Sequence, residues 1–175
     1  MRKICISFLI VAIIILSGIC LILPKDTVKT EYLRIHIRAN SNAEIDQTVK
    51  YKVKDQVVIF LTPYIAECDT KQKAINMLSV RLKGVEEVAN RVLEENGFDY
   101  KSKAKIKNEE FPTRVYSGVQ LKKGFYDALI IELGDGKGDN WWCVVYPPLC
   151  FTGEGVAYQY KSKILEIILD FKKQY

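Results

Sequence analysis

The chain has little of the chemistry from which most enzyme and metal sites are built. Its 175 residues include a single histidine, His36, and no two of its cysteines form a Cys-x-x-Cys pair. The Gly-x-x-x-x-Gly-Lys-Ser/Thr spacing of a phosphate-binding loop is also missing. We therefore predict no catalytic residue, no bound cofactor and no metal site.

The charge is low for a nucleic-acid-binding protein. The formal net charge is +5, and setting aside the two charges of Arg2 and Lys3 leaves +3. The lysines are spread over several predicted elements instead of being gathered in one patch. We therefore expect no nucleic-acid partner.

Residues 135–140 form a glycine-rich acidic segment that could be either a turn or a calcium-binding loop. The order Asp-Gly-Lys-Gly-Asp-Asn alternates as calcium ligands do, but Lys137 occupies the place of a third oxygen ligand. We predict a turn between two strands at this position.

An uncharged apolar run at residues 4–23 follows Arg2 and Lys3. Twenty residues at helical rise span about 30 Å, the hydrocarbon thickness of a bilayer. The basic start predicts a cytoplasmic amino end and an exported remainder. Residues 1–30 are thus either a cleaved signal peptide or a retained membrane anchor with a short linker, and residues 31–175 are predicted to form one extracytoplasmic domain.

Export determines how the cysteines are interpreted, because thiols that lie close together outside the cytoplasm tend to be oxidised. Cys143 and Cys150 are separated by six residues that include two prolines. We predict a disulfide between them and leave Cys68 unassigned. The alternative is a thiol hydrolase in which Cys143 is the nucleophile and His36 the base.

The first half of the chain alternates between strand and helix patterns. Residues 32–38 predict a half-buried strand with apolar and basic residues on opposite faces. Residues 45–61 recur at helical spacing up to Thr62-Pro63, and a second helix runs from a capping Asp69 to Asn96-Gly97.

The second half predicts mainly strands. Lysines occupy every second position of residues 100–107, which is typical of a solvated edge strand. Further strands are predicted at 113–117, 125–133 and 141–146, the last two as an antiparallel hairpin, and residues 156–175 as a closing helix. The predicted fold is α+β: a mainly antiparallel sheet on which two consecutive N-terminal helices and a C-terminal helix pack.

Four residues are candidate contacts for a partner. Trp141 and Trp142 are neighbours in a predicted strand, so they point to opposite faces and one of them needs a helix, a loop or a partner to cover it. Arg114 follows a proline-fixed turn and can pair with a carboxylate of a partner or of the chain itself. His36 lies on the polar face of its predicted strand, where a solvated position is expected.

Three segments carry a resemblance to a known family. They are residues 33–41, Leu-Arg-Ile-His-Ile-Arg-Ala-Asn-Ser, residues 111–116, Phe-Pro-Thr-Arg-Val-Tyr, and residues 136–150, which contain Asn-Trp-Trp-Cys and Pro-Pro-Leu-Cys. The chain from about Leu33 to Cys150 resembles the stage II sporulation protein R family of endospore-forming bacteria. That family supplies no catalytic residues to look for.

The resemblance implies a signalling protein that is made in the forespore and exported across its membrane, towards the mother cell. There it would activate a membrane-embedded aspartic protease that matures the pro-form of a mother-cell sigma factor. We therefore expect a noncatalytic ligand rather than an enzyme. The alternatives are the thiol hydrolase and a peptidoglycan-binding module that uses the tryptophans as stacking platforms.

Overall fold

The structure, a computed structural model, describes residues 31–116, 118–152 and 158–174. The predicted membrane segment at residues 4–23 and the rest of the leader lie outside these described residues. Within them, no helix is both long enough and apolar enough to span a bilayer. Contacts along the chain group Glu31–Tyr175 into one compact unit, which is described by itself.

The described residues form six strands and four helices. In chain order these are β1 (Leu33–Arg38), α1 (Glu44–Ile65), α2 (Lys71–Ser79), α3 (Leu82–Glu95), β2 (Ser102–Phe111), β3 (Arg114–Tyr116), β4 (Val119–Leu121), β5 (Gly124–Leu133), β6 (Asn140–Tyr146) and α4 (Tyr158–Gln174).

Four of the strands make one sheet in the order β2-β5-β1-β6, and β3 pairs with β4 in a separate hairpin. The β1–β5 pair is parallel, and the β2–β5 and β1–β6 pairs are antiparallel. The predicted α+β fold with a mainly antiparallel sheet is thus confirmed. The predicted β5–β6 hairpin is wrong, because β1 lies between these two strands.

β1 is a central strand and not the half-buried strand that its alternation predicts. Leu33, Ile35 and Ile37 are fully buried against the helices. Arg34 and His36, on the opposite face, are also 0% exposed, because distant parts of the chain cover them. The expectation of a solvated His36 is therefore wrong.

The helices depart from their predicted ends in two places. α1 continues through Pro63 to Ile65, and the Thr62 hydroxyl donates a hydrogen bond of 2.6 Å to the Val58 carbonyl. The single helix predicted after Asp69 is two helices, α2 and α3, and the α2 cap is Thr70, whose side chain accepts from the Lys73 amide.

Two predicted helix features are confirmed, the end of α3 and the apolar stripe of α4. α3 ends before Gly97, whose φ of 79° is the left-handed conformation that glycine adopts without strain. α4 buries the predicted apolar stripe against the core, with Ile164 fully buried. The stripe is completed by Tyr160, Ile167, Ile168 and Phe171.

The β1–α1 turn, residues 39–43, is bound to the glycine-rich loop, residues 134–139. The Gly138 amide donates to the Ala39 carbonyl at 2.9 Å, and the Asn40 side chain accepts from the Asp135 amide at 3.0 Å. A Cβ on Gly138 would lie 2.2 Å from the Ser41 carbonyl oxygen, so only glycine fits there. This loop is the predicted turn, but it crosses over the end of β1 before β6 begins.

Asp46 holds the same turn from the first turn of α1. Its carboxylate accepts hydrogen bonds from Asn40 at 3.0 Å, Ser41 at 2.6 Å and Tyr100 at 2.6 Å. Burial raises the pKa of Asp46, but these hydrogen bonds outweigh burial and leave the pKa below its ordinary value. The Ala-Asn-Ser part of the resemblance therefore has a structural role.

Candidate partner-binding surface

The polar residues of β1 lie on the sheet face opposite to α1, α2 and α3. The register with β6 places His36 opposite Trp142, and Arg38 opposite Asn140. Side chains on this face come from the sheet itself, the β3–β4 hairpin, the loop after β6, Tyr32 before β1, and Ile168 of α4. This face brings His36 and Trp142 together.

The His36 cluster consists of His36, Trp142, Phe111, Glu109 and Arg38. The rings of His36 and Trp142 are stacked, with centroids 4.8 Å apart and planes 5° from parallel. Phe111 meets both edge-on, at 5.3 Å from His36 and 4.8 Å from Trp142. Because each ring is held by two others, Trp142 is a fixed, partly exposed aromatic surface over a buried histidine.

Charged side chains border this aromatic stack. The Glu109 carboxylate lies 3.3 Å from His36 Nε2 and also accepts from Arg38. Arg38 donates to Glu132 at 2.9 Å, and Lys105 pairs with the other oxygen of Glu132 at 2.7 Å. The network connects β1, β2 and β5, so it fixes the rim of the cluster.

His36 is neutral in this environment. Burial, together with the positive charge of Arg38, lowers the pKa of His36 to about 4, and Glu109 opposes the shift. In the described part of the chain Nδ1 has no hydrogen-bond partner, and Nε2 makes no well-aligned hydrogen bond although the Glu109 carboxylate lies 3.3 Å away. His36 therefore supports Trp142 from beneath, and a partner reaches it only if Trp142 or Glu109 moves.

Arg34 anchors the β3–β4 hairpin to the same face. Its guanidinium carbon lies 4.3 Å from the ring centroid of Phe111, 4.9 Å from that of Tyr126 and 5.5 Å from that of Tyr116. It also donates to the Tyr116 hydroxyl at 2.8 Å and to the Pro112 carbonyl at 3.5 Å. The aromatic rings thus surround a fully buried cation.

Two of the four candidate contacts lie away from the His36 cluster. Trp141 faces the helices, where the Lys54 ammonium lies 5.9 Å from its ring centroid. Arg114 is exposed on β3 and donates only to the adjacent Thr113 carbonyl in the described structure. The structure therefore groups Trp142 with His36 and separates Trp141 and Arg114 from them.

The structure joins Cys143 and Cys150 in a disulfide, with their Cα atoms 6.4 Å apart. Cys143 pairs in register with Ile35 and is fully buried in the helix-side core, whereas His36 points to the opposite face. The sheet therefore separates this sulfur from the only imidazole of the chain. Cys68 is free and buried, and its Sγ lies 3.4 Å from the Tyr64 carbonyl.

Comparison with known proteins adds the family. The profile of the stage II sporulation protein R family matches residues 29–155. The chain belongs to this family. It is also 32% identical over 131 residues to the stage II sporulation protein R of Bacillus subtilis (strain 168), a match that covers 73% of this chain. The chain spans 58% of the length of that relative, and no solved structure matches.

Membership in the stage II sporulation protein R family supports a role in sporulation. The family segments map onto distinct parts of this member. Residues 39–41 and 136–139 are in the turn and loop contacts, and Phe111 and Tyr116 surround Arg34. Trp141 and Trp142, in the third segment, are both partly exposed.

Sequence reasoning missed the residues that support Trp142 in this family member. Glu109 is next to Glu110 in the sequence, but neighbouring side chains in an extended strand diverge. Its partners are His36 and Arg38, which are more than 70 residues away along the chain. Glu109 and Phe111 are two residues apart in β2, so their side chains lie on the same face of the sheet. This spacing locates them beside His36 only when the pairing of β2 with β5 is known.

Proposed function

We propose that this chain is a noncatalytic, exported ligand that activates a membrane-embedded sporulation aspartic protease, and that this activation leads to processing of a pro-sigma factor in the mother cell. The observation that carries the proposal is the partly exposed Trp142, held in one orientation by His36 and Phe111. A ligand shifts a receptor equilibrium only by binding the two states differently, which requires a specific surface. Family membership supports the sporulation setting.

Export is part of this proposal. Residues 4–23 carry the apolar run and Arg2 and Lys3 the basic start, so we assign residues 1–30 to the signal or anchor and residues 31–175 to the extracytoplasmic domain. The Cys143–Cys150 disulfide is in keeping with an oxidising location outside the cytoplasm.

The geometry disfavours the two alternatives. A thiol hydrolase needs its nucleophile and base within hydrogen-bond reach, whereas Cys143 is oxidised and lies on the sheet face opposite to His36. A peptidoglycan-binding platform would use both indoles on one surface. Trp141 and Trp142 lie on opposite faces of β6, so they do not form one platform.

Reconstitution of processing tests the proposal. The full chain is co-expressed with the candidate protease and its pro-sigma substrate in cells that lack both, and processing is followed by immunoblot. Wild type is expected to trigger processing. Trp142→Ala is expected to lower it at least tenfold, since removing an interface aromatic anchor typically costs about 2 kcal/mol or more.

The matched control is Phe125→Ala, which removes an exposed aromatic residue elsewhere on the sheet, 63% exposed in the structure. It should leave processing unchanged at equal protein level. A Cys143→Ser/Cys150→Ser variant should retain processing in proportion to its folded amount, because no thiol chemistry is involved. Processing that is equally efficient without the chain would disprove the proposal.

A further inference from the structure

The two edges of the main sheet, β2 and β6, differ in how they are protected. On β2, Lys103, Lys105 and Lys107 are exposed. In addition, side chains from α3 accept from the backbone amides of Ser102, at 2.6 Å, and Ala104, at 2.8 Å. Lysines and such caps are common protection against pairing at an edge. β6 has no charged residue between Asn140 and Tyr146.

The second half of β6 is covered by other means. Cys143, Val144 and Val145 are 0% exposed. The disulfide brings the following loop back to Cys143, and α4 reaches this end of the strand, where Phe171 lies 6.4 Å from Tyr146 between ring centroids. Pairing at this half would require these elements to move.

No other described element covers the first half of β6, residues 140–142. Its three residues are partly exposed. In the described structure, no hydrogen bond outside the ladder with β1 reaches their backbone groups. An edge strand turns the amides and carbonyls of alternate residues outward, so this stretch offers unpaired backbone groups.

We propose that an extended segment of the partner protein adds to the sheet as a fifth strand at residues 140–142 and is clamped between Trp141 and Trp142. The side chains of an added strand alternate between the two faces, so both indoles gain a contact. Both tryptophans would thus contact the same added strand, although they lie on opposite faces of the sheet. The inference rests on the proposed function and specifies how the protease is contacted.

The size of the open stretch favours a peptide segment over a second copy of the chain. Three strand residues extend about 10 Å. A stable dimer buries about 1,200 Å² or more, and the covered half of β6 is unavailable for it. The added segment should carry apolar side chains at alternate positions to meet the indoles. An acidic residue beside them would meet Lys54, next to Trp141.

Hydrogen exchange tests the inference on the full chain bound to the purified protease in detergent, compared with the full chain alone. Strand addition is expected to slow amide exchange within residues 140–142 at least tenfold. Dissociation constants for Trp141→Ala and Trp142→Ala should both rise at least tenfold. The Phe125→Ala control should bind as wild type does.

The other outcomes separate the two proposals. A complex that leaves residues 140–142 unprotected, or that is weakened by Trp142→Ala alone, would show docking on the sheet face and overturn strand addition while keeping the protease as partner. Absence of any complex would overturn both. Protection of residues 140–142 that grows with concentration in the chain alone would assign the edge to a second copy and overturn the inference. If the alanine variants do not fold, Trp141→Phe and Trp142→Phe replace them in the binding measurements, because they retain an aromatic ring at each position.

Discussion

Mild acid should destabilise the folded domain through His36. Its pKa is lowered from 6.5 to about 4 by burial and by Arg38. Between these values the unfolded chain binds a proton that the folded chain does not, so stability falls as the pH falls. The full contribution of the neutral ring is present above pH 6.5 and decreases towards pH 4.

The size of the effect follows from the same two pKa values. One proton corresponds to about 1.4 kcal/mol per pH unit, and integrating from pH 7 to pH 5 gives a loss of about 2 kcal/mol in the free energy of unfolding. With a urea dependence of about 2 kcal/mol per molar, the unfolding midpoint should fall by about 1 M. Since His36 is the only histidine of the sequence, no other imidazole contributes.

The assay is urea unfolding at several pH values between 5 and 7, followed by tryptophan fluorescence, to which the stacked Trp142 contributes. Keeping the pH at or above 5 leaves out the carboxylates of Asp46, Asp127 and Glu132. Because their pKa values are lowered in the folded chain, they lose stabilisation as the pH falls through the ordinary carboxylate range towards those lowered values.

His36→Phe is the matched control. It keeps a ring against Trp142 and removes two buried nitrogens that make no well-aligned hydrogen bond, so its stability at pH 7 should equal or exceed that of wild type. Its unfolding midpoint should not change between pH 7 and pH 5. A wild-type midpoint that is flat or rises on acidification would show that Glu109 governs the ionisation of His36, and would refute the reasoning.

Three further predictions concern the scaffold and are tested by urea unfolding at pH 7. Replacing both Cys143 and Cys150 by serine should cost about 2 to 3 kcal/mol, the loop-closure entropy of a disulfide with a sequence separation of 7, and an unchanged midpoint would contradict that. Gly138→Ala should cost about 2 kcal/mol or more, because its Cβ would meet a carbonyl oxygen of the β1–α1 turn, whereas Gly97→Ala, with nothing within 4 Å, should cost about 1 kcal/mol. Arg34→Lys should cost about 2 kcal/mol, because the guanidinium contacts with the aromatic rings and its hydrogen bond to the Tyr116 hydroxyl are lost. An equal loss when an exposed arginine is changed to lysine would argue against this role of Arg34.

Local periodicity was sufficient for the fold class and for the elements whose environment is set nearby. The apolar stripe of α4 and the end of α3 at Gly97 follow from spacing and from the left-handed conformation of glycine. The lysine alternation of β2 identified it as an edge strand, because exposure on that side repeats along the strand itself. These features depend on residues within one or two turns of each other.

The position of β1 could not be read in the same way. Alternation of apolar and basic residues describes equally well a strand with one wet face and a central strand whose basic face is covered by distant residues. Arg34 is covered by Phe111 and Tyr126, which are more than 70 residues away. Only the parallel pairing with β5 decides between the two cases, and that pairing leaves no short-range signal.

Several residues of the family segments have structural roles in the domain. Asn40 and Gly138 are required by the contact between the β1–α1 turn and the glycine-rich loop, and Cys143 is required by the disulfide. These residues give the domain its shape and leave little to offer a partner. Trp141 and Trp142 differ from them in lying, partly exposed, on an uncharged edge strand of the sheet, outside these contacts. Recognition through that edge would therefore depend on the same scaffold that the other family segments build, which is why variants of the scaffold and variants of the indoles should separate in stability and in binding.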